Sequence, residues 1–518
     1  MIIRMVILIE SPKSLLVSLV TVHGANKISA ILLQLFLQNV SKQVIVVSDL
    51  NSQECVFYNK QVTGNDIVYT NYLDLAQLIV QNNSVPDVAI SFDIKINTLL
   101  NFRQTQQYHF PVIGLIHSLG FESHLRELLL VSQSMRPYDA LICPSKNTQQ
   151  TAQKIGVNSN LLHVIGYGID INKYKPVKSK KALREIHELD LDRQVILILS
   201  RISAAVKMDL APVLRVLPQL VKKNPKVLLY IVGSVLDVNY VNELKQLVKY
   251  LEMDDYVVWD HHPNHEVIEQ YYQCSDIFLS LSDYCGETFG LTVMEAMACG
   301  LPVVISDFAG YKDHILTNEV EGFLIPTVSG DVNLSLGFYC FDYQLYGRQY
   351  SQSVAMNNLY LIDVLDRLLD SSKLRQQVGK NALKKIKQYN TLDKMYQDYV
   401  CVLQQSIDNS KTFMQSQHTS TLMDISAVFS HQVSGCLKLD SLFSLTEQTA
   451  DILQTKRSFF LFESQWKEYK LIRVLLHLLK DQSLTLLQLT QKVDAAQSEI
   501  EKNCLFLLKQ YVIVLEDG

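Results

Sequence analysis

No two of the nine cysteines form a Cys-x-x-Cys pair. They stand singly at 55, 143, 274, 285, 299, 340, 401, 436 and 504, several of them inside apolar runs. That spacing excludes a zinc-ribbon framework and leaves buried, reduced thiols as the expectation rather than disulfides. Long hydrophobic runs are missing too: no uncharged apolar stretch approaches the ~18 residues that a membrane-crossing helix needs. The opening "MIIRMVILIESPK" is short, is broken by Glu10 and Lys13, and is followed by no small-residue cleavage site. No secretory leader is therefore expected, and the cytoplasm is the expected location. Charge of one sign is also lacking. Lys and Arg number 47 against 52 Asp and Glu, a formal net charge of −5, which gives no global basic field for nucleic acid or anionic lipid. There is no Gly-x-x-x-x-Gly-Lys loop for a nucleoside triphosphate, and "HHPNHEVIEQ" lacks the second histidine of a zincin helix because position 269 is glutamate. Asp190-Leu191-Asp192 has metal-type spacing but precedes its strand, at the rim opposite the strand carboxyl ends.

The composition that remains, 48% hydrophobic and 19% charged, is that of an ordinary folded protein. At 518 residues the chain exceeds one core, so two or three domains are expected. Short β-branched runs alternate with helical stretches over its first four-fifths. The pattern predicts strands at 14–22 ("SLLVSLVTV"), 43–50, 87–93, 110–118, 139–145 and 162–168, then at 195–200, 227–233, 256–260, 276–282, 302–307 and 322–326. Strands alternating with helices imply parallel sheets covered on both faces, hence an α/β fold with two doubly wound, Rossmann-like domains. The Lys-rich "INKYKPVKSKKALREIHEL", with Pro176, reads as the linker between them. Domains at 1–175 and 176–390 follow, with a cleft that brings the carboxyl ends of both sheets together. Residues 327–360 fit neither period and read as an insertion. A helical return segment occupies 391–409.

From 410 to 518 the chain turns helical, and its last 50 residues order three helical runs before the short strand "VIVLE", an order that resembles a winged-helix unit. DNA binding is opposed by charge: the segment holds 11 Lys and Arg against 12 Asp and Glu, and its third helix begins with Glu499 and Glu501. A protein-contact or stabilising module is the expectation, and nucleic acid is not an expected partner.

Chemistry concentrates in "SDYCGETFGLTVMEAMACG", residues 282–300. It reads as the loop after one strand, a helix from Leu291, a left-handed stop at Gly300, and Pro302 before the next strand. Glu287 then lies in the loop at a strand's carboxyl end and Glu295 just over one turn into the helix. Two carboxylates beside the free amides of a helix start suit a polyhydroxylated, anionic ligand. "VILILSRISAAVKMDL" offers Arg201 and Lys207 after another strand, a pair suited to a diphosphate. On spacing alone the same pair also fits an ordinary solvated loop. His117 ends a strand of the first domain, where it reads equally as a polar residue at a sheet edge. Gly24, in "VTVHGANKIS", puts a backbone amide within reach of a phosphate or merely closes a tight turn.

Together these segments resemble the retaining glycosyltransferases of family 4, which have the GT-B fold of two facing Rossmann-like domains. "ETFGLTVMEAMACGLPVV" matches closely around the family's paired glutamates, seven residues between them; "SRISAAVKMDL" resembles its Arg…Lys diphosphate motif, "HVIGYGID" its interdomain segment, and His117-Ser118 its sugar-site histidine. The resemblance covers roughly residues 14–405. The chain departs from it in reading Gly24-Ala25 where the family often has two glycines, and in setting Lys207 six residues after Arg201 rather than five. The resemblance implies transfer of a hexose-type sugar from a nucleotide-diphosphate donor to an acceptor hydroxyl, with retention, in glycan or cell-envelope polysaccharide synthesis. It implies no cofactor and no metal. Glu295 would take the ribose hydroxyls. Glu287, with the backbone of Phe289, Gly290 and Leu291, would hold the sugar. Arg201 and Lys207 would hold the diphosphate, with Gly24 approaching it, and His117 would contact the sugar from the first domain. The acceptor, glycan or lipid-linked, is not specified, and peripheral contact with the inner face of a membrane is compatible. A nucleotide-sugar epimerase or a phosphorylase of similar fold, and a non-enzymatic sugar-nucleotide sensor or scaffold, are the other readings.

Overall fold

The computed structural model describes residues 4–8, 24–39, 43–48, 67–81, 85–120, 122–204, 207–329, 351, 354–413, 438–446, 449–450, 469–509 and 512–516. Two units, Met1–Ser420 and Thr421–Gly518, make up the chain.

The first unit holds two parallel sheets. Strands β1 (Arg4–Leu8), β2 (Gln43–Ser48), β3 (Ile67–Asn71), β4 (Val88–Ser91), β5 (Val112–Leu115), β6 (Ala140–Cys143) and β7 (Leu162–Val164) run in the order β3-β2-β1-β4-β5-β6-β7. Strands β8 (Gln194–Leu199), β9 (Val227–Val232), β10 (Val257–Asp260), β11 (Ile277–Ser280), β12 (Val303–Ser306) and β13 (Phe323–Ile325) run in the order β10-β9-β8-β11-β12-β13. All the neighbours pair in parallel. Continuous apolar runs such as "VLLYIV" form the central strands because helices cover both faces; β4, β5, β6, β9, β11 and β12 are buried along their whole length. Each strand order reverses once, between β1 and β4 and between β8 and β11. Such reversals open a crevice beyond the strand carboxyl ends, where open α/β sheets take their ligands.

Each sheet is pinned at the opposite rim by a buried aspartate. Asp139, just before β6, takes both forks of Arg103 at 2.6 and 2.8 Å and accepts the amides of Val112 and Arg136. Asp276, just before β11, pairs with Arg184 at 2.6 Å and Lys180 at 2.8 Å. Burial alone would raise the Asp276 carboxyl, but Lys180 and Arg184 outweigh it and hold it below the ordinary range. Arg184 belongs to the Lys-rich stretch read as a linker, whose helix Lys181–Ile186 therefore packs on the second sheet. The helix Leu392–Phe413 returns to the first sheet, where Tyr396 and Tyr399 meet Phe36 edge-on at 5.6 and 6.2 Å. Ile169 bridges Thr391 as this return begins, and Gly168 permits it, since a Cβ there would lie 2.6 Å from the Thr391 carbonyl oxygen.

The runs from "QVIVVSDL" to "GFLIP" each carry the strand expected of them, while the expected strand at 14–22 lies outside the described residues. Two strands of the first unit's large sheets escaped the sequence pattern. β1 lies in the opening apolar run, and β3 is a five-residue edge strand. Most of the insertion is also outside the described residues; its base is an antiparallel pair, β14 (Thr327–Ser329) with β15 (Val354–Met356). Among the described residues Cys143, Cys274, Cys299 and Cys504 are buried free thiols. Burial pushes Cys143 up to about 12 and Cys274 to about 11, which leaves them unreactive.

The second unit carries a strand in the closing run "VIVLE", where one was expected, and two further strands that the sequence pattern did not show. β16 (Leu442–Leu445) is the central strand of an antiparallel sheet with β17 (Leu484–Thr485) and β18 (Ile513–Glu516). The helices Tyr469–Leu479, Leu486–Lys492 and Gln497–Lys509 cover it around Phe443, Leu475, Ile500 and Leu507. "LFSL" is too short to declare itself and is a strand because both its edges are paired. Among the described residues, no helix is long and apolar enough to cross a membrane.

Replacing Asp139 by Ala leaves Arg103, 2% exposed, as an unpaired buried cation. A loss of about 3–5 kcal/mol in urea unfolding is expected, against a change within experimental error if the pair is dispensable.

Candidate functional site

The loop after β11 is held from several sides before it reaches Gly290. The Ser306 hydroxyl donates to the Ser282 carbonyl at 2.6 Å, and the hydroxyls of Ser280 and Tyr311 lie 2.9 Å apart. His314 Nε2 donates to the Phe289 carbonyl, and Lys385 Nζ donates to the His314 carbonyl at 2.6 Å. Burial, aided by Lys385, pulls the His314 imidazole down to about 3, so the ring is neutral and its Nε2 proton is fixed by the carbonyl it meets. Gly290 is left-handed at φ 87°, and a Cβ there would stand 2.2 Å from the Tyr311 ring; only glycine fits both constraints. The helix Leu291–Ala298 follows. Gly300, at φ 77°, ends it in a Schellman motif, with Leu301 N–H on the Ala296 carbonyl and Gly300 N–H on that of Met297.

On this frame sit the two glutamates, 8% and 4% exposed. Glu287 Oε2 accepts from Lys207 Nζ at 2.7 Å. Glu295 Oε2 accepts from the Tyr272 hydroxyl at 2.7 Å, and its Oε1 from Lys27 Nζ at 2.5 Å. Arg201 follows the carboxyl end of β8, the strand beside β11, and is half-buried with no ion pair among the described residues. The loop carrying Lys207 is tied to the same turn: Ser282 donates to the Lys207 carbonyl at 3.0 Å, and Asp283 Oδ2 accepts the Asp209 amide at 3.2 Å. Both expected cations and both glutamates thus lie on one rim, at the reversal of the second sheet. Phe289 is buried between Tyr167, ring centroids 4.7 Å apart, and His314 at 4.6 Å. Leu291 opens the helix, half-buried.

Residues of the first sheet reach the same loop. His117 Nε2 lies 2.7 Å from the Phe92 carbonyl oxygen, which only accepts, so this nitrogen carries a proton. In the neutral ring Nδ1 then accepts from the Tyr167 hydroxyl at 3.0 Å. Burial, with Glu287 nearby, raises the Tyr167 hydroxyl, which stays a donor. The histidine touches the Glu287 loop through its backbone, its carbonyl accepting from Thr288 Oγ1 at 2.5 Å, while Ser118 Oγ donates to the Gly286 carbonyl at 3.2 Å. Gly24 is the first residue of the helix Gly24–Asn39; residues 9–23, just before it, lie outside the described set.

Sequence reasoning passed over several residues that build this site. Lys27 stands three positions beyond the glycine it singled out, and its partner is 268 residues away, beyond any local pattern. Tyr174 and Tyr272 sit in stretches read as linker and helix. Burial, then Glu295, raises both phenols, keeping them as donors. Asp283 is the second residue of the stretch 282–300 and was given no role there; its signal was a third carboxylate directly after a buried strand.

Residues 179–332 match the family model of glycosyl transferases group 1. The chain is 27% identical over 241 residues to alpha-monoglucosyldiacylglycerol synthase of Streptococcus pneumoniae, an alignment covering 44% of this chain and 53% of that protein. It is 27% identical over 198 residues to mannosylfructose-phosphate synthase of Agrobacterium fabrum, covering 37% and 43%. The chain spans about half the length of these curated relatives. Among solved structures, Anabaena HepE in complex with UDP superposes with a TM-score of 0.58 at 19% identity, over 77% of this chain and 99% of that one. Sucrose-phosphate synthase from Thermosynechococcus elongatus gives 0.54 at 16%, over 80% and 100%. The fold is therefore GT-B, with two Rossmann-like sheets and an added C-terminal unit.

Asp283 gives this site a measurable pH dependence. Its Oδ1 is buried without a hydrogen-bond partner among the described residues. Burial pushes its carboxyl from 3.8 up to about 8, against the lowering effect of the Asp209 amide that it accepts. Between those values the folded chain keeps a proton that the unfolded chain has released, so stability falls as pH rises, by at most about 1.4 kcal/mol per pH unit. Asp283→Asn is expected to match the wild type near pH 4 and to exceed it increasingly toward pH 8 in urea midpoints. A constant difference across that range would show that Asp283 ionises normally.

Proposed function

We propose that the chain is a retaining, metal-independent glycosyltransferase that moves a hexose-type sugar from a nucleotide-diphosphate donor to an acceptor hydroxyl. The observation that carries this reading is the Lys207–Glu287 contact of 2.7 Å beside Glu295, where the second sheet reverses. Acidic groups for hydroxyls and cations for a diphosphate share one crevice there. The match of residues 179–332 and the likeness to a UDP-bound structure support it.

In this reading Glu295 accepts the ribose hydroxyls, since one carboxylate can take two at once. Glu287 and the backbone amides of Phe289, Gly290 and Leu291 hold the transferred sugar, and Gly24 lets the first domain approach the diphosphate. Arg201 and Lys207 stabilise the diphosphate as charge builds on its leaving oxygen, the work a metal ion does in other transferases. The acceptor oxygen bonds to the anomeric carbon on the face from which the phosphate oxygen departs. Its proton passes to that oxygen, so configuration is retained and no enzyme nucleophile is required. His117, whose Nε2 already carries a proton, contacts the sugar from the first domain when the cleft closes.

Residues 1–175 read as the acceptor-side domain, 176–390 as the donor-side domain, 391–409 as the return, and 410–518 as an appended winged-helix-like module for a protein contact. A relative that makes a glucosyl lipid supports an acceptor in envelope or lipid-linked glycan synthesis, with the protein in the cytoplasm or at the inner face of the membrane.

Purified protein offered UDP-, GDP- and ADP-sugars is expected to release nucleoside diphosphate. Arg201→Ala and Glu287→Ala should each lower turnover by on the order of 10²–10³. Undiminished release by both variants would remove these residues from the reaction.

A further inference from the structure

Lys27 is the fourth residue of the helix Gly24–Asn39, on the first sheet, yet its ammonium serves the second. It donates to Glu295 Oε1 at 2.5 Å and to the Tyr174 hydroxyl at 2.9 Å, and it lies 5.1 Å from the centre of the Tyr174 ring. The other oxygen of Glu295 is held from within the second domain by Tyr272, which is fully buried. The two partners of Glu295 differ in how easily they exchange. Tyr272 is locked in the core, whereas the Lys27 side chain keeps 30% of its exposure, against 6% for Glu295. A partly solvated ammonium on a flexible stem leaves its partner at smaller cost than a buried phenol.

The two glutamates are matched in this respect. Glu287 has its lysine, Lys207, and Glu295 has Lys27. On the proposed reading, a ribose diol that binds both oxygens of Glu295 takes the place of the Lys27 ammonium. The same donor brings a diphosphate that Lys207 and Arg201 approach from one side only, that of the second domain. A lysine released at that moment, rooted one turn into the helix that Gly24 opens, meets the new negative charge from the first domain.

We infer that Lys27 is a donor-binding cation that exchanges Glu295 for the diphosphate of the nucleotide sugar, so that one side chain both yields the ribose site and completes the phosphate site. This rests on the nucleotide-sugar reading above and adds a residue to it. It also gives the first domain a charged hold on a ligand seated mainly on the second.

The exchange predicts opposite effects on two ligands, which a purely structural lysine does not. Calorimetry on the full chain would compare UDP, GDP and ADP with uridine, guanosine and adenosine. Lys27→Met, which keeps the apolar stem, is expected to weaken the nucleoside diphosphate that binds by about tenfold or more. It should leave the matching nucleoside unchanged or tighter, because its competitor for Glu295 is gone. Lys27→Arg, which keeps the charge, should stay within about threefold of wild type for the diphosphate. Unchanged diphosphate affinity in Lys27→Met, or equal losses for diphosphate and nucleoside, overturns the exchange and leaves the transferase reading standing. A wild-type chain that binds none of the three diphosphates overturns both.

Discussion

A carboxylate taken out of water needs a cation or several donors, and two such groups eight positions apart govern how the first unit is assembled. Moving an ion from water into a protein interior costs several kcal/mol even after relaxation. Neither Glu287 nor Glu295 is satisfied by its own loop. One draws Lys207 from the segment after β8, and the other draws Tyr272 and, from the other sheet, Lys27. The demand of these two groups therefore reaches three separate parts of the chain. It also keeps polar and ionic a rim that hydrophobic packing alone would fill, and a polar rim at a strand reversal is where a charged, hydroxylated ligand finds partners.

Two groups of the frame beneath are neutral where the rim is charged. His314 holds the Phe289 carbonyl as a neutral ring, kept so by burial and by the Lys385 ammonium that donates to its own carbonyl. Asp283 keeps its proton while anchoring the loop that carries Lys207. Ionising His314 or Asp283 would add a buried charge to the loop that leads through Gly290. The backbone there is already committed to a left-handed conformation against the Tyr311 ring. His314 and Asp283 thus position the loop without adding charge to it.

Much of this was legible in the sequence, for reasons that also mark where legibility ends. A strand buried on both faces must be continuously apolar, so "VLLYIVG" and "DIFLSLS" declared themselves, and the glycine and proline after "LTVMEAMA" fixed the helix end. The glutamates and the Arg201–Lys207 segment were visible because each follows such a strand. β1 was passed over because an apolar run at the start of a chain reads as a leader before it reads as a strand. β16 is a strand only through pairing with β17 and β18. Lys27, Tyr174 and Tyr272 had no local signature at all. Each looks ordinary until the fold brings Glu295 to it, and a contact spanning 268 residues is a property of topology rather than of pattern.

The two ion pairs on the rim are not mechanically equivalent. Lys207 and Glu287 sit on neighbouring loops of one sheet that are stitched together by Ser282 and Asp283, so they move as one body. Lys27 and Glu295 join helices from different sheets, and their bond is the more exposed at its cationic end. Any change in the relative position of the sheets must therefore stretch the second pair while leaving the first intact. The site is sensitive to domain movement at Glu295 and insensitive to it at Glu287. On the proposed reading, such a division suits a transferase whose nucleotide enters and leaves through domain opening, while the sugar's reacting carbon has to meet a geometry that does not drift.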